Sequence, residues 1–141
     1  MGGMANKELI HCPCGQLDAA GRRLDFAQCC GPYLTDFLAC SAADAQALMR
    51  SRYTAFVLEN EAYLKHTWQE AFRPSKLEFE VGAKWLGLDI KDFVSTGIEA
   101  GLATAEVEFV ARVRLGGKAK RLHERSYFVC EEGQWRYVKA V

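Results

Sequence analysis

Four cysteines fall between residues 12 and 30, as Cys12-Pro13-Cys14 and Cys29-Cys30, and this spacing constrains the chain more than any other feature. The segment 8–34 around them also holds Gly15, Gly21, Gly31 and two prolines, and no helical or strand period runs through it. Such a stretch buries too little apolar area to fold unaided, so something must staple it. Thiolates in paired clusters do this by holding zinc, which takes four ligands in a tetrahedron. Adjacent Cys29 and Cys30 reach one ion if the backbone turns sharply, and Gly31-Pro32 follows at once. The competing reading is four free thiols, with a strained vicinal disulfide as its minor form. His11 could stand in for a cysteine, but a neighbouring histidine is more often a bystander. A site of four sulfurs has no open position for water, so its metal is structural rather than catalytic. Cys40 and Cys130 lie outside the cluster and read as small buried apolar residues.

The remaining chain is long enough for one domain with a real core. Of the 141 residues of the full sequence, 50% are hydrophobic and 26% charged, an ordinary globular balance. Eighteen basic residues offset eighteen acidic ones, so no global field favours nucleic acid or an anionic membrane. No apolar run reaches the roughly 18 residues a membrane helix needs. Met1-Gly2-Gly3-Met4-Ala5-Asn6-Lys7 has no charged start followed by an apolar stretch, and Asn6 stands where a myristoylation signal has Ser or Thr. Met4 is a candidate natural start. A cytoplasmic location, with reduced thiols and no membrane partner, is expected.

Ser41-Ala42-Ala43-Asp44 reads as a capping box, and Ala45, Leu48, Met49, Tyr53, Phe56 and Val57 recur at helical spacing through residue 58. A shorter helix is predicted from Glu61 to Glu70, ending before Arg73-Pro74. The period then switches toward two, with strands predicted over 77–81, 85–97, 103–115, 119–130 and 134–140. Gly116-Gly117 and Glu132-Gly133 are hairpin turns. Helices first and an antiparallel meander after make an α+β domain. The turns set a register that pairs Phe109 with Glu124 and Phe128 with Tyr137. One face is then apolar and meets the helices, while the other opposes Glu108 and Arg125.

Cys12-Pro13-Cys14-Gly15 followed by Phe26-Ala27-Gln28-Cys29-Cys30 resembles the SEC-C motif, the zinc knuckle also found at the tail of the SecA translocation ATPase. Its continuation is more specific. Cys30-Gly31-Pro32-Tyr33-Leu34, Ala47-Leu48-Met49-Arg50-Ser51-Arg52-Tyr53-Thr54-Ala55-Phe56, Tyr63-Leu64 and Thr67-Trp68 are similar to the YchJ-type family of bacterial proteins. Trp85-Leu86-Gly87-Leu88, Glu124-Arg125-Ser126-Tyr127-Phe128 and Trp135-Arg136-Tyr137-Val138 fit it too. The resemblance implies a SEC-C-like knuckle over residues 8–35 and an NTF2-like domain over 36–141, a cone of helices packed on a curved sheet. It carries Cys12, Cys14, Cys29 and Cys30 over as zinc ligands. The stretch between Cys14 and Cys29 is longer than in the usual motif, with Asp18 to Asp25 as the insertion. Some relatives have a second SEC-C motif at the C-terminus. The sequence reads to Val141 without one, so a role needing two knuckles is not expected.

Within the cone, Arg52 is anomalous. At roughly 100° per residue it falls between Leu48 and Met49 on the apolar helix face. Glu124 is the matching anomaly on the apolar sheet face. A buried charge needs a partner, so the two are expected to meet, either as a structural ion pair or in a pocket where Arg52 binds an anion and Glu124 acts as acid or base. Tyr53, His66 and Trp135 are further candidates for such a pocket. Trp85 and Trp135 read first as core anchors, and a pair of tryptophans and tyrosines in a cone can also bind a flat ligand. No histidine shares the face of Ser126, because His123 points outward, which argues against a Ser-His-Asp triad. Arg112, Arg114, Lys118, Lys120, Arg121 and Arg125 make one hairpin basic. That is a solvated edge or a weak ribosome or RNA contact.

Three functions follow as expectations. The first is a binding or adaptor protein whose knuckle meets a protein partner. The second is a small-molecule enzyme of isomerase, dehydratase or hydrolase type working in the cone. The third is contact with ribosome or RNA. The zinc scaffold favours the first, because no acid–base pair in the sequence is free of a structural explanation.

Overall fold

Asp44 ends the irregular N-terminal stretch and starts the main helix. In the computed structural model, which describes residues 11–141, its carboxylate accepts the Ala47 backbone N–H at 2.8 Å and caps a helix over Ala45–Val57. The expected Ser41 cap is therefore replaced by one three residues later. Preceding it is a five-residue helix, α1, over Gly31–Thr35. The main helix is α2, and α3 follows over Glu61–His66. Asn60 caps α3 by accepting from Tyr63 N–H at 3.0 Å. α3 stops at His66 rather than Glu70, and a 3-10 turn takes Glu70–Phe72. The readings made on Met1–Lys7, and residues 8–10 of the knuckle, lie outside the described residues.

Four strands form one antiparallel sheet in the order β1-β2-β3-β4. They are β1 (Lys84–Glu99), β2 (Leu102–Leu115), β3 (Lys118–Glu131) and β4 (Gln134–Ala140). Gly116-Gly117 and Glu132-Gly133 turn with positive φ at both positions, as two-residue hairpins demand. The observed register pairs Phe109 with Glu124 and Phe128 with Tyr137, as read from the turns. Ala100-Gly101 makes a third turn of the same kind, which the sequence hid because alanine seldom occupies a left-handed position.

The predicted strand over 77–81 does not form. Leu77 and Phe79 do face the core, so the alternation is real. The chain there hangs instead on one bond from Leu77 N–H to Glu61 Oε2 at 3.2 Å, with no neighbouring strand.

β1 follows β2 through register shifts at Trp85/Gly87, Ile90/Asp92 and Ser95/Gly97. Each extra residue bends the strand and adds twist. The sheet thus curls around α2, which packs on β1, β2 and β4. Leu48, Tyr63, Leu64, Val107 and Phe128 are fully buried at that junction. The same buried cluster continues without a break through Leu34, Phe26, Cys30, Cys14 and Cys12. Among the described residues no helix is long and apolar enough to cross a membrane.

Candidate functional site

The cysteine segment is built by backbone bonds that bring its two ends together. Cys12 N–H donates to Leu24 O and Leu24 N–H to Gln16 O, both at 2.9 Å. Asp18 Oδ1 accepts from Ala20 and Arg22 N–H and closes the tip of the insertion. A 3-10 turn over Phe26–Gln28 then runs directly into α1. The chain turns sharply at Cys29 (φ −126°, ψ −101°), and Cys29 and Cys30 thereby point their sulfurs to one place.

All four sulfurs lie within 4.8 Å of one another. Cys14 and Cys29 are 3.6 Å apart and Cys29 and Cys30 3.9 Å. Thiolates about 2.3 Å from a central tetrahedral ion stand about 3.8 Å from each other, so the donor set fits such an ion. Cys12, Cys14 and Cys30 are buried and Cys29 is half-buried. No pair forms a disulfide. In the bare cluster, hydrogen bonds from Cys14, Cys29 and Cys30 push the Cys12 thiol far down, and bonding to Cys12 pushes Cys30 far up. Cys14 is lowered as well and Cys29 raised, so two thiolates suppress the other two, and a cation is what lets four coexist. His11 sits apart, 3.9 Å from Asp25 and exposed. Cys40 and Cys130 are half-exposed rather than buried.

Gly31 is required by this packing. A Cβ there would stand 2.7 Å from Phe26 O, and backbone cannot yield as a side chain can. Gly31→Ala is expected to destabilise by about 2 kcal/mol in a urea titration.

The second feature is a cavity of about 290 Å³ between α2 and the concave sheet. Met49, Arg52, Tyr53 and Phe56 line it from α2, Trp68 from beyond α3, and Trp85, Phe109, Leu122, Glu124, Ser126 and Tyr137 from the sheet. Tyr53 and Phe56 both pack on Trp85, with ring centroids 5.7 and 5.9 Å apart. Tyr137 N–H donates to Thr67 O and Gln69 N–H to Tyr137 O, both at 2.8 Å. This pairing brings Trp68 onto Tyr137, centroids 5.1 Å apart. The indole Nε1 of Trp68 is buried without an acceptor among the described residues.

Arg52 and Glu124 share this cavity but form no ion pair within 4.0 Å, which corrects the expected contact. Arg52 is 3% exposed. Its Nη1 donates to Leu64 O and Thr67 Oγ1, each at 2.8 Å. Its guanidinium lies 5.0 Å from the Trp68 ring and 4.6 Å from the Tyr137 ring. Burial lowers its pKa to about 10, so it remains a cation at neutral pH. Carbonyl, hydroxyl and two π faces satisfy it without the carboxylate. Glu124 accepts instead from Ser126 Oγ at 2.8 Å.

His66 and Trp135, expected at this cavity, do not line it. Both face the other side of α3, beside Phe37. His66 lies 4.8 Å from the Phe37 ring, and burial followed by Arg136 and Arg73 holds its pKa below the usual value. Trp68 and Tyr137 were missed as neighbours of Arg52, because the parallel bridge between them leaves no mark in local periodicity.

On the outer face Arg125 meets Glu108 at 3.3 Å, as the register required, and also Glu106 at 2.5 Å and Asp92 at 3.0 Å. His123 points outward to Glu108. Arg112 pairs with Asp89. Arg114, Lys118, Lys120 and Arg121 make no ion pair among the described residues, which leaves a basic hairpin tip.

The family model for the YchJ middle NTF2-like domain matches residues 44–140. A UPF0225 protein from Polaromonas sp. is 52% identical over 90% of the chain and 89% of its own length. One from Xanthomonas campestris is 44% identical over 92% of each. Two solved structures share the fold. A SEC-C motif containing protein from Psychrobacter arcticus superposes with a TM-score of 0.74 at 27% identity, covering 92% of this chain and 80% of the other. A SEC-C motif containing protein from Rhodopseudomonas palustris gives 0.72 at 32% identity, covering 93% and 97%.

Proposed function

The chain belongs to the YchJ-type, UPF0225 family of bacterial proteins with an NTF2-like domain, and from that premise we propose that it is a binding protein rather than an enzyme. Its cysteines hold a structural zinc, its cone holds a small molecule, and its knuckle offers a rigid surface to a protein partner in the cytoplasm. The observation that carries the reading is the aromatic cavity with a half-buried carboxylate in it. Its volume is at the lower end of ligand sites. Glu124 is the one carboxylate lining it, beside a guanidinium that the surrounding structure already engages. Tyr53, raised by burial to about 12, stays neutral. An acid–base pair is therefore lacking in the cavity, and retention of a ligand needs none.

Zinc is favoured among metals because a four-thiolate tetrahedron suits a soft, redox-inert ion. The adaptor role rests on the exposed, hydrogen-bonded loop that presents Leu17, 55% accessible, to solvent. Elemental analysis of freshly reduced protein is expected to give about one zinc per chain; less than about half an equivalent overturns the metal assignment. Native mass spectrometry of gently purified protein tests the cavity through a retained small molecule. Capture of a partner that is lost with Leu17→Asp tests the adaptor role.

A further inference from the structure

The side chains around Glu124 select the chemistry of what the cavity takes, an inference that rests on reading the cavity as a ligand site. We propose that it binds a small, uncharged, planar aromatic molecule whose ring N–H or O–H donates to Glu124.

Size comes first. About 290 Å³ admits a single or fused ring system and excludes a nucleotide or an extended peptide. The walls come next. Tyr53, Phe56, Trp85 and Phe109 supply flat faces, against which a ring packs edge-on or offset more favourably than an aliphatic chain. Charge decides the rest. Arg52 was the natural anion receptor, but Trp68 and Tyr137 pack together against one side of its guanidinium, its Nη1 is held by Leu64 O and Thr67 Oγ1, and it is 3% exposed. An anionic ligand would have to displace those contacts and would face Glu124 as a like charge. A cationic ligand would be drawn to Glu124 on the sheet but repelled by Arg52 on the helix wall of the same cavity.

Glu124 accepts from Ser126 Oγ at 2.8 Å and has the Tyr137 hydroxyl as a second, longer partner, whereas a carboxylate accepts about four hydrogen bonds. A ring that covers it without donating strips its water and returns nothing. A neutral donor satisfies the carboxylate and leaves the Arg52 cage intact. The Tyr137 phenol, raised first by burial and then by the Glu124 charge, remains a neutral member of the wall.

Indole and benzofuran are the deciding probes, since they match in size and shape and differ in the ring N–H. Titration calorimetry on the intact, metal-loaded protein is expected to show indole binding at least about tenfold more tightly than benzofuran, and indole-2-carboxylate binding more weakly than indole. Glu124→Gln should cut the indole advantage several-fold, and Glu124→Leu should abolish it while benzofuran is retained. Equal binding of indole and benzofuran, or tighter binding of the carboxylate, overturns the proposal and leaves the cavity as a site of other chemistry. If none of the three probes binds, the ligand-site reading itself falls. Should a Glu124 variant fail to fold, the ranking on the unaltered protein decides alone.

Discussion

Cys30→Ser is expected to abolish stoichiometric metal binding and to lower the thermal midpoint by more than about 10 °C. Cys12, Cys14 and Cys30 are at most 1% exposed and belong to the same buried cluster as Leu48 and Tyr53. The described part of the knuckle brings to that cluster, besides its cysteines, Phe26 and Leu34 as buried side chains. Without a cross-link this is too little to order the loop. A structural zinc contributes an apparent binding free energy of about 10–16 kcal/mol in small peptides, and much of it is folding free energy. The effect reaches further than the knuckle. Arg50 Nη1 donates to Cys14 O at 3.2 Å and Cys12 Sγ touches Thr54 Oγ1 at 3.8 Å. Both partners lie on α2, whose other face carries Arg52, Tyr53 and Phe56 into the cavity. Chelation should therefore weaken ligand retention along with stability. Cys40→Ser and Cys130→Ser, at half-exposed sites away from the cluster, should keep the metal and shift the midpoint by only a few degrees, about 1 kcal/mol or less. A Cys30→Ser protein with unchanged melting and metal content would refute the clip.

Arg52→Ala is expected to destabilise by about 3–4 kcal/mol and Arg52→Met by roughly half of that. Alanine leaves a void beside the Trp68 and Tyr137 rings and removes the charged donor to Leu64 O and Thr67 Oγ1. Methionine fills most of the space and loses only the donors and the cation–π contacts. The informative quantity is the coupling to Glu124. Since the two groups are not paired, a double-mutant cycle of Arg52→Met with Glu124→Gln in urea should give a coupling below about 1 kcal/mol. A buried pair would give several, because breaking it strands a charge. A coupling of about 3 kcal/mol would restore the ion pair and overturn the account of Arg52 as held by carbonyl, hydroxyl and rings.

Much of this molecule was legible in short stretches of sequence. The hairpin dipeptides Gly116-Gly117 and Glu132-Gly133 predicted two turns, and period-two alternation then placed Phe109, Val107 and Phe128 on the buried face with the observed partners. The anomaly of Arg52 and Glu124 was visible for the same reason: each breaks a local apolar pattern. What the two charges do with their anomaly was not visible. Trp68 and Thr67 reach Arg52 because the chain after α3 docks on the edge of β4, a contact across about half the chain that no local period encodes. His66 was assigned to the cavity on a helix read as about one turn longer than it is. His66 faces Phe37 instead, where α3 ends. The stretch 77–81 carried a strand pattern and lacked a neighbour to pair with, and a strand exists only through its partner.

By itself the sequence determined the main helix, the register of the last two hairpins and the four sulfurs that can share one ion. All of these follow from residues close in the chain, where spacing, turn chemistry and backbone reach act directly. The tertiary structure decided that Arg52 and Glu124 stand apart, which rings enclose them, and that the knuckle and the cone share one core. Those outcomes depend on the bulged curvature of β1 and on contacts between distant segments. There burial and packing select among partners that local sequence leaves equivalent.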